Sequence, residues 1–265
     1  MNMEENVLYN EKDIILKWNA DMYDCNETDI QDVEFAISVI GTEPKRILEI
    51  ACGSGRMLVP MAKEGHIVTG LDFDECMLDK IASKAYGMEN IAWRKSDVTH
   101  DDWGQGFDVV VLAANFLLNI VSDTDYEKAQ KLMIQKAAES LVLGGHIFID
   151  YAYTLYPEKW FNNPNEKVVW EGMDSDGNTG RMVLSNSIYD ENRCMCHFIR
   201  KYELTLPNGS VIVQAIPSAK HFVTLEQVHE WLSFSGFIIE KEYGDYRGNP
   251  IGEKTGRAII WARKV

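Results

Sequence analysis

A strand that runs into a tight glycine turn constrains this chain more than any other feature of its sequence. Residues 46–51 are a largely apolar run that predicts a buried strand, and Gly53-Ser54-Gly55 follows almost at once. Glycine adopts positive φ and lets the backbone approach a ligand closely. A tight strand-to-helix turn needs glycine with or without a ligand, so the turn alone leaves its role open.

Around this turn, predicted strands and helices alternate. The pattern predicts strands at residues 46–51, 66–71, 91–94, 107–112 and 145–151, and helices at 29–41, 56–64, 74–86 and 126–143. Ser122-x-x-Asp125 has the spacing of a capping box in front of the last of these helices. Near-continuous apolar strands in such an alternation favour an α/β fold with a doubly wound parallel sheet.

Across residues 167–222 the pattern changes to short runs with a period of two. Three turn signals separate these runs, at Asp176-Gly177-Asn178, Asp190-Glu191-Asn192 and Pro207-Asn208-Gly209, and they predict three or four antiparallel strands. A helix that begins at Thr224-x-x-Gln227 and strands at 237–243 and 258–262 follow. We therefore predict a seven-stranded, mostly parallel sheet made by residues 1–154 and 221–265, with an antiparallel β subdomain inserted at 155–220.

The composition narrows the classes of partner. Asp and Glu number 41 against 26 Lys and Arg, and the net charge of −15 repels the phosphates of nucleic acid. No apolar stretch approaches the roughly 18 residues of a membrane span, and the acidic residues 1–6 do not resemble a signal peptide. The 5 scattered cysteines indicate free thiols, and Cys194-Met195-Cys196-His197 lacks a second pair at zinc-site spacing. We expect a cytoplasmic protein that binds no nucleic acid, no membrane and no metal.

Acidic residues lie in or directly after three successive predicted strands. Glu49 lies within the first strand, where burial of a carboxylate is costly unless it has a partner. Asp72 and Asp97 follow the second and third strands, and each alone is as consistent with a helix cap or a solvated loop. Together they fall on the carboxyl edge of the sheet, where open α/β proteins bind ligands.

Two ligands fit a glycine motif in the first turn, a dinucleotide and S-adenosylmethionine. A dinucleotide site usually has a third glycine for helix–strand packing, and this chain has Leu58 there. Glu49 would also place a negative charge close to the pyrophosphate. A ligand that carries a sulfonium and an ammonium suits an acidic pocket better, so the charges favour S-adenosylmethionine.

The same segments resemble the class I S-adenosylmethionine-dependent methyltransferases of the small-molecule type. Residues 48–55 are similar to the first motif of that family, 65–72 to the strand with its ribose-binding acid, and 107–111 to its fourth strand. The resemblance spans about residues 44–153 and 221–264. It implies a Rossmann-like methyltransferase fold and an enzyme that transfers a methyl group from S-adenosylmethionine to a nitrogen or oxygen of a small-molecule acceptor. The insert looks like that of N-methyltransferases that act on glycine or amino sugars.

The resemblance also implies a set of cofactor contacts. Glu49 would lie near the methionine amino group, Asp72 would bind the ribose, and Asp97 would meet the adenine edge. Tyr23 is predicted to form an aromatic lid with Tyr9 and Trp18, for which helix packing is the alternative. The predicted cofactor contacts are Tyr23, Glu49, Ala51, Gly53, Gly55, Asp72, Phe73, Met77, Ser96, Asp97, Val98 and Ala113.

On the acceptor side, the requirement is mainly positioning. Methyl transfer is an in-line displacement, so an amine acceptor needs orientation, whereas a hydroxyl acceptor usually needs a base such as histidine. Asn115 is predicted to orient the acceptor, with an Asx cap as the alternative. His221 is predicted to contact the acceptor, with packing as the alternative. Arg181 is a candidate for binding a substrate carboxylate, with a solvated surface position as the alternative.

Two other functions are consistent with these patterns: a non-catalytic binding module of the same fold, and a methyltransferase that acts on protein or RNA. The insert either selects the acceptor or joins two copies through an exposed strand edge. Monomer and homodimer therefore both fit the sequence.

Overall fold

The computed structural model describes residues 10–120 and 125–265. Three predictions concern residues outside this part of the chain. They are the lid residue Tyr9, the helix cap at Ser122 and the lack of a signal peptide in residues 1–6. Helices α1 to α9 span Glu11–Asn26, Gln31–Ile40, Leu58–Lys63, Glu75–Leu78, Ile81–Lys84, Phe116–Asn119, Tyr126–Ser140, Pro157–Phe161 and Leu225–Phe234. Strands β1 to β11 span Arg46–Ile50, Ile67–Asp72, Ile91–Lys95, Phe107–Leu112, Leu141–Ala152, Lys167–Met173, Thr179–Asp190, Met195–Thr205, Val211–His221, Phe237–Tyr243 and Arg257–Lys264. Within the described ranges, none of the helices is long and apolar enough to span a membrane.

Seven strands form one sheet, in the order β10-β11-β5-β4-β1-β2-β3. Strands β1 to β5 run parallel to one another; at one side β11 is antiparallel to β5, and β10 is antiparallel to β11. The direction of strand order reverses at β1, which lies between β2 and β4. The connections after β1 and β4 therefore diverge and leave a crevice at the carboxyl edge of the sheet. The predicted fold class is confirmed.

The core covers both faces of this sheet because its central strands are apolar almost throughout. In β1, alternate residues point to opposite faces. Leu48 packs in the cluster that includes α6, α7 and α9, and Ile47 packs in the cluster that includes α2, α3 and α5. Two layers of helices thus fix the strand ends that carry the site.

The glycine turn after β1 is held in a left-handed backbone conformation. Ala51, Gly53 and Gly55 have φ of 57°, 54° and 79°, a region that residues with a Cβ rarely adopt. A Cβ on Gly55 would lie 3.1 Å from Cγ1 of Ile81, so close packing also requires glycine there. The turn is longer than expected, and α3 begins at Leu58, two residues later than predicted.

The single helix predicted at residues 74–86 is wrong, because the structure has the two short helices α4 and α5 instead. The amide of Lys80 donates to the carbonyl of Met77, three residues back rather than four, at 3.1 Å. That bond interrupts the α-helical pattern. The Lys80 ammonium pairs with Asp21 of α1, which holds the break against α1.

The insert is a four-stranded antiparallel sheet, β6-β7-β8-β9, with the three predicted turn signals between its strands. It packs on α1, a helix that the patterns did not predict. Trp18 of α1 is fully buried; its ring meets that of Tyr202 edge-on at 6.4 Å, and its Nε1 donates to the carbonyl of Gly172. Helix packing, the alternative to a lid, is therefore the role of Trp18.

Candidate functional site

A cavity of about 930 Å³ lies between the carboxyl edge of the seven-stranded sheet and the inner face of the insert. The sheet edge, α1 and the start of α2 form one wall, and the insert forms the opposite one. The first wall includes Asn19, Tyr23, Asp29, Asp32, Arg56, Asp72, Asp74, Met77 and Asn115, and the second includes Trp170, Met182, Phe198, Arg200, Tyr202, Ser218 and Lys220. The insert therefore covers the crevice that the strand order creates.

Asp72 lines the cavity, and each of its carboxylate oxygens accepts a hydrogen bond from a backbone amide, one of them in the glycine turn. The amide of Gly53 donates to Oδ2 and the amide of Asp74 donates to Oδ1, each at 2.8 Å. Burial raises the pKa of Asp72, and these two amides oppose the rise. Each carboxylate oxygen keeps a further lone pair, so Asp72 can accept hydrogen bonds from a pair of ligand hydroxyls while it holds the turn in place.

Glu49 is a buried acid that lacks a partner. Its side chain is 6% exposed, and its Oε2 has no hydrogen-bond partner among the described residues. Burial raises the pKa of Glu49 to about 8; Arg56 opposes the rise, and the negative charges of Asp72 and Asp32 add to it. An acid in this position is satisfied by a cationic ligand group such as an ammonium.

Arg56 does not supply the cation for Glu49, because its guanidinium already pairs with the carboxylate of Asp32. Its Nη atoms pair with the carboxylate of Asp32, with Nη1 at 2.8 Å from Oδ1, and Nη1 also donates to the carbonyl of Asp29 at 2.9 Å. Its Nε donates to the hydroxyl of Tyr23 at 3.4 Å. Tyr23 in turn meets Trp170 of the insert edge-on at 5.9 Å, and it lines the cavity as predicted for a lid residue.

Most of the residues predicted to contact the adenine do not line the cavity. Met77 lines it, whereas Phe73 is 68% exposed. Asp97 accepts from the amide of Thr99 at 3.0 Å and lies 3.1 Å from Nδ1 of His100, and the hydrogen bond from Thr99 lowers its pKa. These are the contacts of a loop cap, the alternative named for Asp97.

Glu49 and the remaining predicted cofactor residues are not among the residues that line the cavity. Ser96 and Ala113 are buried, and the hydroxyl of Ser96 donates to Asp101 at 3.1 Å. The carbonyl of Val98 accepts from Nε1 of Trp103 at 2.9 Å. Ala51, Gly53 and Gly55 form the turn itself, so their backbone is what a ligand would meet.

Asn115 lines the cavity but does not form the Asx cap considered as its alternative. It has a left-handed φ of 64° and makes no side-chain cap bond to α6. Its Oδ1 instead accepts from the amide of Ala152 at 2.7 Å and from Nη2 of Arg257 at 3.3 Å. The carboxamide thus joins the ends of β4, β5 and β11, and its role toward an acceptor stays a prediction.

Sequence reasoning missed a polar network beside Asn115. Asp150 is 1% exposed, pairs with Nη2 of Arg257 at 2.7 Å and accepts from the hydroxyl of Tyr246 at 2.9 Å. Burial raises the pKa of Asp150, and Arg257 opposes the rise. Both partners line the cavity. The signal was available, because Asp150 interrupts an apolar strand in the same way as Glu49.

The structure does not place His221 in the cavity wall. Its ring is buried, and Nδ1 lies 2.7 Å from Oε1 of Gln130. Nε2 of that amide donates to the carbonyls of Leu117 and His221 at 2.8 and 3.2 Å. Burial lowers the pKa of His221, which keeps the ring neutral. These contacts are those of a packing residue, the alternative named for His221.

Arg181 also lies outside the cavity wall. Its side chain is 45% exposed and pairs with Glu203 on the neighbouring strand, which is the solvated surface position considered as its alternative. The insert presents two other cations to the cavity, Arg200 of β8 and Lys220 of β9. Their positions follow from the strand register, which sequence patterns alone do not specify.

Comparison with known proteins agrees with this geometry. Residues 47–144 match a family model described as a methyltransferase domain. A putative methyltransferase from Geobacillus sp. (strain WCH70) is 23% identical over 228 residues, which are 83% of this chain and 85% of that relative.

Solved structures share the fold. A S-adenosylmethionine-dependent methyltransferase from Clostridium acetobutylicum ATCC 824 has a TM-score of 0.71 at 12% identity, over 96% of this chain and 99% of that one. The sugar N-methyltransferase KedS8 from Streptoalloteichus sp. ATCC 53650 has a TM-score of 0.69 at 17% identity, over 100% of this chain and 97% of that one.

The sheet order, the glycine turn and the acidic strand ends define an α/β protein with a ligand-binding crevice at the carboxyl edge of its sheet. With the family match, the chain is a class I S-adenosylmethionine-dependent methyltransferase, and S-adenosylmethionine is its cofactor. The residues fit that cofactor: the buried Oε2 of Glu49 lacks the partner that an ammonium would supply, and the carboxylate of Asp72, held by two amides in the cavity wall, could accept from ribose hydroxyls.

Proposed function

We propose that this enzyme methylates a nitrogen or oxygen of a small molecule held between the sheet edge and the insert. The observation that carries the proposal is the cavity, because about 930 Å³ is within the range of small-molecule sites. Its closure by the insert favours a small acceptor over a protein or RNA. The likeness to a sugar N-methyltransferase supports nitrogen.

In this proposal the chain's own residues supply binding and orientation. The cofactor, when bound, supplies a methyl group activated by its sulfonium. Glu49 and Asp72 hold the cofactor's ammonium and ribose, while Asn115 and the insert wall hold the acceptor. Fixing the two reactants in line supplies roughly 7–11 kcal/mol of the barrier, so an amine acceptor needs no further group.

We also propose that residues 155–220 act as the acceptor-selecting unit of a cytoplasmic enzyme. The cavity wall formed by β8 and β9 supports the first point, and the free thiols of all 5 cysteines support the second. A homodimer is the alternative use of the insert, because β6 and β9 are its edge strands and unpaired edges invite pairing. Sedimentation velocity distinguishes a monomer from such a dimer.

The test is transfer of a labelled methyl group to fractionated metabolite pools, to protein and to RNA. Wild type should label a small-molecule fraction, and Asp72→Ala should lose that labelling. Asp108→Ala is the matched control, since Asp108 accepts an amide hydrogen bond from Arg46 at 2.8 Å at the amino end of the strands. Labelling of protein or RNA in place of small molecules would contradict the proposal.

A further inference from the structure

The two walls of the cavity carry opposite charge. Acidic residues dominate the sheet edge and the start of α2, where Asp29, Asp32, Asp72 and Asp74 line the cavity. The insert contributes Arg200 and Lys220 and no acid to the same lining. The chain has a net charge of −15. Two cations on one cavity wall therefore indicate a ligand group of opposite, negative charge.

Arg200 differs from the other arginines that line the cavity. Arg56 pairs with Asp32, and Arg257 pairs with Asp150. Among the residues that the structure describes, Arg200 forms no ion pair, and its Nε is buried without a hydrogen-bond partner. A buried donor on a charged fork is costly to leave unmade, and a guanidinium matches the oxygens of a carboxylate or phosphate.

Lys220 lies on the same face of the insert as Arg200. In the register of β8 with β9, Arg200 is opposite Ile216 and Lys220 is opposite Cys196, and all four lie on one face because side chains alternate. The ammonium of Lys220 donates to Oδ1 of Asn119. Burial and the charge of Arg200 lower the pKa of Lys220 to about 8.

We propose that Arg200 and Lys220 form an anion subsite that binds a carboxylate or phosphate group of the methyl acceptor. The inference rests on the proposed function, since it assigns chemistry to the acceptor of that cavity. An anion in the cavity would pair with the guanidinium of Arg200 and offset the positive charge that lowers the pKa of Lys220. The acceptor then carries an anionic group at the insert end and its methylated atom nearer the sheet edge.

The test separates the subsite from catalysis by measuring binding alone. Protein saturated with S-adenosylhomocysteine is titrated calorimetrically with inorganic phosphate and, separately, with acetate. Wild type should bind one of them, and Arg200→Met or Lys220→Met should weaken that binding tenfold or more. Stronger phosphate binding indicates a phosphorylated acceptor, and stronger acetate binding indicates an acceptor of the amino-acid type.

Lys201→Met is the matched control, because Lys201 lies on the other face of β8 and pairs with Glu203. It should bind both anions as wild type does. Arg200→Lys keeps the charge and should recover part of the affinity, and unchanged S-adenosylhomocysteine binding shows that each variant is folded.

Three results overturn the subsite: neither anion binds wild type, the Met variants bind anions like wild type, or they lose S-adenosylhomocysteine instead. The last result would mean that these cations hold the carboxylate of the cofactor. Anion binding together with no methyl transfer to any small molecule would refute the proposed function and leave the subsite standing.

Discussion

Cofactor binding is expected to release a proton from Glu49. Burial raises the pKa of Glu49 to about 8 in the free protein, so about nine in ten molecules carry that proton at pH 7. A ligand ammonium against Oε2 favours the ionised form. We therefore expect about 0.9 proton to be released for each S-adenosylhomocysteine bound at pH 7.

Calorimetry in two buffers of different ionisation enthalpy measures this number directly. The affinity should also rise with pH, because the ionised fraction of Glu49 grows from about 1% at pH 6 to about one half at pH 8, an increase of roughly 50-fold. Glu49→Gln keeps the size of the side chain and should show neither effect. A proton count near zero for wild type, or an affinity independent of pH, would refute the role assigned to Glu49.

The same carboxyl lowers the stability of the free protein. Its pKa is raised on folding from 4.5 to about 8, so the folded state binds more protons than the unfolded chain between those values, and stability falls as pH rises through that window. At pH 7 the loss is about 3 kcal/mol. Urea unfolding at pH 7 should therefore show Glu49→Gln to be more stable than wild type without ligand, although it binds the cofactor more weakly.

Three further changes test other parts of the structure. Asp72→Ala should weaken S-adenosylhomocysteine binding by roughly 1.5–3 kcal/mol while Asp108→Ala leaves it unchanged, and equal affinities by calorimetry would argue against a ribose contact. Arg257→Met leaves the buried Asp150 without its ion-pair partner and should lower the free energy of unfolding in urea by about 3–5 kcal/mol. A loss below about 1 kcal/mol would show that Asp150 is protonated in that variant. Trp18→Ala should cost about 3–5 kcal/mol, and an unchanged melting curve would mean that α1 does not anchor the insert.

The sheet was predictable because its signals are local. Apolar strands, the glycine turn and the three turn signals of the insert act over a few residues, and each overlaps its predicted position, although the glycine turn is longer than predicted. The prediction of one continuous helix at 74–86 was wrong, because the helix is broken at Lys80, which pairs with the distant Asp21 of α1. Helix α1 was missed because its buried residues face the insert, a partner more than 140 positions away along the chain.

The site shows the same division between local and long-range information. Acids at strand ends marked the cavity edge, as Asp72 shows. Whether a loop acid turns inward or caps its own loop depends on nearby donors, and for Asp97 the amide of Thr99 decides this. The insert wall could not be assigned, because a shift of one residue in register would exchange Arg200 for Lys201.

The attachment of the insert to α1 limits how this fold can be recombined. The insert leaves after β5 and returns before α9, so a different acceptor unit could be grafted there without altering the order of the seven strands. Its apolar underside, however, is completed by Ile15, Trp18 and Met22 of α1, far upstream of both junctions. A functional chimera should therefore exchange two separate segments together, the first helix and the inserted sheet, and changes of acceptor among such enzymes should leave paired substitutions in both.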